Sequence, residues 1–336
     1  MTIHSIISLV RSRQDLPADT CRAVFDQIFR GELSSSEIQQ FLVALRDKGE
    51  TVDEISGAAQ SMRAHMQSLT APDGAIDIVG TGGDGRNTLN VSTAAAIVVS
   101  ACGVPVAKHG NRAASSRSGS SDALRELGVN LEPSWDALQR CANDLGLVFL
   151  FAPRHHPAMR HVIEVRRSIG TRTIFNVLGP LTNPANVKRH LLGVYDLELL
   201  GPLAEVLLAL GSDAAWLAHG HDGCDEITIT APTDIVELKA RQIVHMTVTP
   251  EEAGLGRASL EAIQGGDAAA NAAAIRRLLA GEAGAYRDIV LLNAAAALIV
   301  TGKASDLRQG ATLAAAAIDS GAAQEKLVKL CEMTRS

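Results

Sequence analysis

Residues 77–99 read DIVGTGGDGRNTLNVSTAAAIVV: a short apolar run, a bend holding Gly80, Gly82, Gly83 and Gly85, and then an alanine- and valine-rich segment opened by Asn90, Ser92 and Thr93. Strand, glycine bend and helix start in that order predict one unit of an α/β sheet, with backbone N–H groups and the positive end of a helix dipole turned toward an anion. Glycine allows the backbone to approach a phosphate because no Cβ stands in the way. The spacing also fits G-x-G-x-x-G through Gly80, Gly82 and Gly85, so a dinucleotide site is one reading. That reading wants an acid about 20 positions onward to hold ribose hydroxyls. The next apolar run ends instead in Lys108-His109, which suits phosphate. A Walker loop is excluded because no Gly-Lys-Ser/Thr follows. A bare tight turn leaves unexplained the polar side chains of Thr88, Asn90, Ser92 and Thr93 gathered at a helix start.

Outward from this unit the pattern recurs. After Pro72-Asp73-Gly74, short apolar runs at 76–79, 104–107, 148–151, 191–195 and 215–218 alternate with helical segments, as in an α/β sheet. Four of the runs end in polar turns, at 80–84, 108–112, 154–156 and 219–226. Ligands of open α/β sheets sit at the carboxyl ends of the strands, so these turns are expected to line one cleft. Residues 16–70 show only three- and four-residue apolar spacings, with Ser34–Ser36 ahead of Glu37 as a cap. The tail is alanine-rich and helical. The expected fold is therefore α/β: a small all-helical domain at 1–73, and a larger α/β domain at 74–336 around a central, mostly parallel sheet.

The 336 residues are 46% hydrophobic but only 3% aromatic, so the core must be aliphatic. A formal net charge of -6 argues against a nucleic-acid partner held by a broad basic face. Charge is uneven, however: residues 108–172 hold ten Lys/Arg against six Asp/Glu, which leaves that window positive and the rest of the chain acidic. The five cysteines, Cys21, Cys102, Cys141, Cys224 and Cys331, are widely spaced without a Cys-x-x-Cys pair. Neither a disulfide framework nor a thiolate zinc site fits, and a reducing cytoplasm is expected. The longest apolar stretch, 94–107, is broken by serine, glycine and proline, so no membrane partner is expected.

Three further elements carry chemistry. In AKHGNRAASSRSGSSD (107–122) a lysine and histidine at a strand end precede Asn111-Arg112 and a run of small hydroxyl residues, giving many donors and little bulk. In HGHDGCDEITI (219–229) adjacent Asp225 and Glu226 are hard oxygen ligands that suit Mg2+, which takes a few carboxylates plus water and substrate phosphates. His219 and His221 leave a zinc alternative open, although no His-Glu-x-x-His accompanies them. In residues 151–184 several arginines, Arg166 among them, offer one fork for a substrate carboxylate.

Together GTGGD, NVST, KHGNRAASSRSG, FAPRHHPAM, VRRSIGTRTIFNVLGPLTNP and HGHDGCDEIT, in this order, resemble the anthranilate phosphoribosyltransferase family. The likeness extends into FLVALRDKGETVDEISGAAQSMR (41–63) and the alanine-rich tail, and so spans nearly the whole chain. It implies transfer of a phosphoribosyl group from phosphoribosyl pyrophosphate to the amine of anthranilate, the second step of tryptophan biosynthesis from chorismate. It also implies a homodimer paired through the helical domain, with a segment near 165–185 returning to that domain. Carried over position by position, Gly80, Gly83, Asp84, Thr88, Asn90, Val91, Ser92, Thr93, Lys108, His109, Gly110, Asn111, Arg112, Ala113, Ala114, Ser115, Ser116 and Ser120 surround phosphoribosyl pyrophosphate. Ser92, Asp225 and Glu226 take Mg2+, and Gly80, Asn111, His156 and Arg166 contact anthranilate. No single catalytic acid or base is implied; Lys108 and Asp84 serve by positioning and by stabilising the leaving group. His155, Cys224 and Ser121 depart from the tyrosine, leucine and alanine usual there, and none of the three is a proposed ligand.

Two rivals are weaker. A pyrimidine nucleoside phosphorylase has a similar turn followed soon by lysine, where this chain has Arg86-Asn87-Thr88. A non-catalytic nucleic-acid-binding relative is disfavoured by the acidic net charge and by intact Asp225, Glu226 and Arg166.

Overall fold

Two capping boxes set the start of the chain. The Ser34 hydroxyl accepts from the Glu37 N–H while the Glu37 carboxylate accepts from the Ser34 N–H, and Thr51 with Glu54 repeats the arrangement. They open α3 (Ser35–Lys48) and α4 (Val52–Ala64), which follow α1 (Ile3–Arg11) and α2 (Ala18–Arg30). Glu54 is fully buried, yet it also accepts from the Leu16 N–H (3.0 Å) and pairs with Lys48 (2.9 Å), so the carboxylate is paired and hydrogen-bonded. The computed structural model describes residues 1–112 and 118–335.

Among the described residues, seven strands form one sheet: β1 Ile76–Gly80, β2 Val106–Gly110, β3 Leu147–Phe151, β4 Arg189–Gly193, β5 Ala214–Gly220, β6 Thr233–Lys239 and β7 Gln242–Val248. Their order is β3-β2-β1-β4-β5-β6-β7. The first five are parallel, and β6 and β7 add an antiparallel hairpin at one edge. All five runs read from the sequence are strands. The hairpin was not anticipated, because β7 faces solvent on much of its length and so lacks the continuous apolar run that marks a buried parallel strand. Lys108, His109 and Gly110 belong to β2 itself, not to a turn after it.

The chain leaves β1 for β2 and β3 on one side and later returns to place β4 and β5 on the other. The order reverses between β1 and β4, the place where open α/β sheets form a crevice. Helices α5 (Val91–Ala101), α6 (Ser120–Leu127), α7 (Trp135–Arg140), α8 (Ala152–His155), α9 (Ile163–Ile169), α10 (Phe175–Leu181) and α11 (Leu200–Ala209) connect the strands, and α12 (Ala268–Leu279), α13 (Ala285–Val300), α14 (Leu307–Asp319) and α15 (Ala322–Arg335) complete the chain. A Cβ on Gly310 would lie 2.7 Å from the Ala295 Cα, so α13 and α14 touch backbone to backbone. On the other face, α9 and α10 join the helical layer, where the Phe175 ring lies 5.7 Å from Phe25 and 6.3 Å from Phe29.

His190, buried in β4, has its Nε2 3.1 Å from the Ser212 hydroxyl. Burial, and then the charges of Arg63 and Lys188, lower its pKa to about 3. The fold accepts only the neutral ring, so its contribution is intact above the ordinary histidine value and is lost as pH falls from there toward the folded value. His190→Gln should therefore remove about 2 kcal/mol of the stability lost between about pH 7 and pH 5. Urea unfolding at both pH values checks this, and an unchanged difference contradicts it.

Candidate active site

The turn after β1 is built on glycines with φ of 67° at Gly82, 78° at Gly83 and 74° at Gly85, all in the left-handed region. It interlocks with the loop after β5. The Gly82 N–H donates to Asp225 Oδ2 (2.7 Å), the Asp225 N–H approaches Asp84 Oδ2 (3.5 Å), and a Cβ on Gly80 would lie 2.6 Å from Asp225 Oδ2. On the far side of the turn Thr88 bridges Gln264. Asn90 immediately precedes α5, its carbonyl held by the Tyr286 hydroxyl (3.1 Å) and its amide oxygen by Asn271 (3.0 Å). Val91 and Thr93 are buried in the first turn of α5, and Ser92 lies between them.

Lys108 reaches across from β2. Its ammonium donates to the Ile78 carbonyl and to Ser92 Oγ (3.2 Å), and the Ser92 N–H donates to Glu226 Oε1 (3.3 Å). Burial lowers the Lys108 pKa against the opposing pull of Asp77, Glu226 and Asp225. Burial also pushes Glu226 up to about 7, with Lys108 opposing, and pushes Asp225 well above the usual carboxylate range, with Asp84 and Glu226 adding to it. Three acids thus face one buried lysine. Burial and mutual repulsion penalise their ionisation, and a divalent cation would favour the charged carboxylates. Among the described residues no three His, Cys, Asp or Glu side chains stand close enough to enclose a metal unaided. Asp225 and Glu226 are hard oxygen ligands of the kind magnesium takes, its shell completed by water and substrate phosphate.

His109 is buried beside this centre. Its N–H donates to Asp77 Oδ1 (3.0 Å), its Nδ1 lies 3.0 Å from the Gly179 carbonyl, and its ring centroid is 5.1 Å from that of His156. Burial, and then His155, lower the His156 pKa to about 4, so the ring is neutral. Gly110 closes β2; a Cβ there would lie 2.7 Å from Phe149 Cε2. The Asn111 carbonyl accepts from Ser120 Oγ (3.3 Å), and the Arg112 guanidinium lies 5.7 Å from the Phe151 ring centre. Ala113, Ala114, Ser115 and Ser116 lie outside the described residues. Arg166, on α9, stands 5.5 Å from the Phe175 ring centre, and burial lowers its pKa.

Not every sequence candidate gathers here. Arg154 donates to the Pro133 carbonyl and stacks on Trp135, so the turn after β3 offers only His156. His219 is bound to the Val194 carbonyl (2.8 Å) and His221 to Asp234 (2.9 Å), an arrangement that gives the zinc alternative no ligand set. A cavity of 510 Å³ between α11 and the β6–β7 hairpin includes His245 and Asp234 but none of the residues expected to hold either substrate or the metal.

Several residues beyond the sequence candidates hold the centre in place. Asn183 donates to Asp77 Oδ2 (2.7 Å), and Asn293 clamps the backbone just after Glu226 through the Ile227 N–H (3.1 Å) and carbonyl (2.8 Å). Polar residues embedded in apolar runs, Asp77 in AIDIV and Asn293 in LLNAAAAL, were the available signal.

Residues 4–66 match the family model described as "Glycosyl transferase family, helical bundle domain", and residues 72–324 match "Glycosyl transferase family, a/b domain". An anthranilate phosphoribosyltransferase of Parvibaculum lavamentivorans is 56% identical over 98% of this chain and 97% of its own. The chain belongs to the anthranilate phosphoribosyltransferase family. It is thus an enzyme of the glycosyltransferase class. The crystal structure of the anthranilate phosphoribosyltransferase of Thermus thermophilus superposes with a TM-score of 0.93 at 42% identity, covering 98% of this chain and 99% of that one. That of Saccharomyces cerevisiae, in complex with PRPP and Mg, superposes with a TM-score of 0.91 at 28% identity, covering 99% and 98%. The same yeast enzyme is also known with 4-fluoroanthranilate.

Proposed function

We propose that the chain joins the amine of anthranilate to the anomeric carbon of phosphoribosyl pyrophosphate, forming phosphoribosylanthranilate and releasing pyrophosphate. The observation that carries this reading is the convergence of the glycine-rich turn, Lys108 and the Asp225-Glu226 pair at the switch point of the sheet. The ligands of the yeast enzyme support the same pair of substrates and the cation. The step is the second of tryptophan biosynthesis from chorismate.

In this reading Gly80, Gly83, Asp84, Thr88, Asn90 to Thr93, Lys108 to Arg112 and Ser120 hold phosphoribosyl pyrophosphate. Ser92, Asp225 and Glu226 hold magnesium, which when bound offsets charge on the diphosphate. As the C–O bond to pyrophosphate breaks, positive charge grows on the sugar and negative charge on the leaving group, so fixed N–H donors and a cation at the diphosphate lower the barrier. The C–N bond forms with loss of one amine proton. An arylamine is unprotonated at neutral pH, so positioning outweighs a strong general base. Neutral His156 and the Asn111 amide would line the acceptor side, with Gly80 beneath. Arg166 lacks a carboxylate partner among the described residues and would take that of anthranilate.

The division at residues 73 and 74, pairing of two copies through the helical domain, and a cytoplasmic location belong to the same reading. The free state of all five cysteines supports the last, and no helix among the described residues is long and apolar enough to cross a membrane.

Arg166→Ala should weaken anthranilate binding by about 10- to 100-fold, the worth of a charged hydrogen bond, and leave phosphoribosyl pyrophosphate affinity within about twofold. Calorimetry with each ligand in the presence of magnesium tests both points. Equal losses contradict the assignment, and no heat from either ligand on the wild-type chain overturns the function.

A further inference from the structure

We propose that Arg172 is a positioning residue that holds the Gly83–Asp84 peptide in the orientation needed for diphosphate binding, with Tyr195 as the platform that holds Arg172. The inference rests on the phosphate-binding role given above to the glycine-rich turn.

Arg172 sits in the connection between α9 and α10. Its guanidinium donates to the Gly83 carbonyl and lies over the Tyr195 ring, 3.9 Å from the ring centre. Tyr195 follows β4 and is itself tied to the turn: its N–H donates to Thr81 Oγ1 (3.0 Å), and the Thr81 N–H donates to the Gly193 carbonyl (2.9 Å). The residue before Arg172 is anchored to the helical domain, since Arg46 on α3 donates to the Thr171 hydroxyl (2.6 Å). One guanidinium thus bridges a segment fixed on the helical side and the positive-φ glycines of the turn.

The turn needs such a bridge. In a trans peptide the C=O and the following N–H point in opposite directions. Gly82, Gly83 and Gly85 all have positive φ, and glycine exchanges between such wells with little steric cost. A rotated Gly83–Asp84 peptide would present a carbonyl oxygen where the diphosphate needs an N–H donor. A charge-assisted bond to the Gly83 oxygen opposes that rotation, and the aromatic face restrains the arginine at little further cost. The Gly82 N–H has its own restraint in Asp225, and Asp84 Oδ1 accepts from the Arg86 N–H (3.0 Å). The Gly83 carbonyl has Arg172.

The test compares wild type, Arg172→Leu, Arg172→Gln, Tyr195→Phe, Tyr195→Leu and the double Leu variant. The readouts are KM for each substrate, kcat, the calorimetric Kd for phosphoribosyl pyrophosphate with magnesium, and thermal unfolding. Arg172→Leu should raise KM and Kd for phosphoribosyl pyrophosphate about 10-fold, with KM for anthranilate and the unfolding temperature nearly unchanged. Arg172→Gln, whose amide can still donate, should recover part of the loss, and Tyr195→Phe should behave as wild type. Tyr195→Leu should show a smaller loss, and the double variant should be no worse than Arg172→Leu alone. Unchanged phosphoribosyl pyrophosphate affinity in Arg172→Leu overturns the proposal. So do losses that multiply in the double variant, which would mean that Arg172 meets the substrate without its platform. A wild-type chain that binds phosphoribosyl pyrophosphate but transfers nothing would overturn the reaction and leave the binding comparison to decide on Arg172.

Discussion

Lys108→Met is expected to destabilise the fold by about 3–5 kcal/mol and to lower kcat/KM by at least about 10²–10³. The lysine is the buried cation facing Asp77, Glu226 and Asp225, so its removal leaves acids buried without compensation. The stability loss should be larger above pH 7 than near pH 5, because buried acids escape their charge by taking up protons. Adding Asp77→Asn removes one of those charges at the cost of one of the two hydrogen bonds the carboxylate accepts, from the His109 N–H and Asn183, and should restore part of the stability and less of the activity. Urea unfolding and steady-state kinetics on both variants separate the two effects. A double variant that regains activity in parallel with stability would mean that Lys108 acts only as a structural counter-ion.

The second large effect has opposite signs for activity and stability. Asp225→Asn combined with Glu226→Gln should lower kcat/KM by about 10²–10³ and raise the magnesium concentration needed for half-maximal rate at least about 10-fold. The fold should be as stable as wild type or more so. The two acids and Asp84 repel one another in a buried centre, and the amide oxygens of the variant can still accept from the Gly82 and Ser92 N–H groups. A magnesium titration of the rate, paired with thermal unfolding, checks both signs. An unchanged titration contradicts the metal assignment, and a large loss of stability contradicts the electrostatic one.

Much of this is legible in the sequence, for physical reasons. Parallel strands buried on both faces leave unbroken apolar runs, so β1 to β5 stood out, and their carboxyl ends pointed to Gly80, Lys108 and Asp225 as neighbours. The β6–β7 hairpin left no such mark, because its outer strand is half in water. Contacts between distant segments are invisible in a linear pattern. Nothing local in FNVLGPLTNP says that Asn183 meets Asp77, or in the C-terminal helices that Asn271 and Tyr286 meet Asn90. The acceptor followed from resemblance and not from spacing, since one arginine among several has no local feature that singles it out. Geometry adds a physical reason for Arg166: half-buried against Phe175, it has no carboxylate partner among the described residues.

The transfer reaction itself is tested most directly by the fluorescence of anthranilate, which changes when its amine is substituted. The wild-type chain, given anthranilate, phosphoribosyl pyrophosphate and magnesium together, should consume the anthranilate signal with release of one pyrophosphate per molecule lost, and omission of any one component should stop it. A signal that stays constant with all three present contradicts the proposed function.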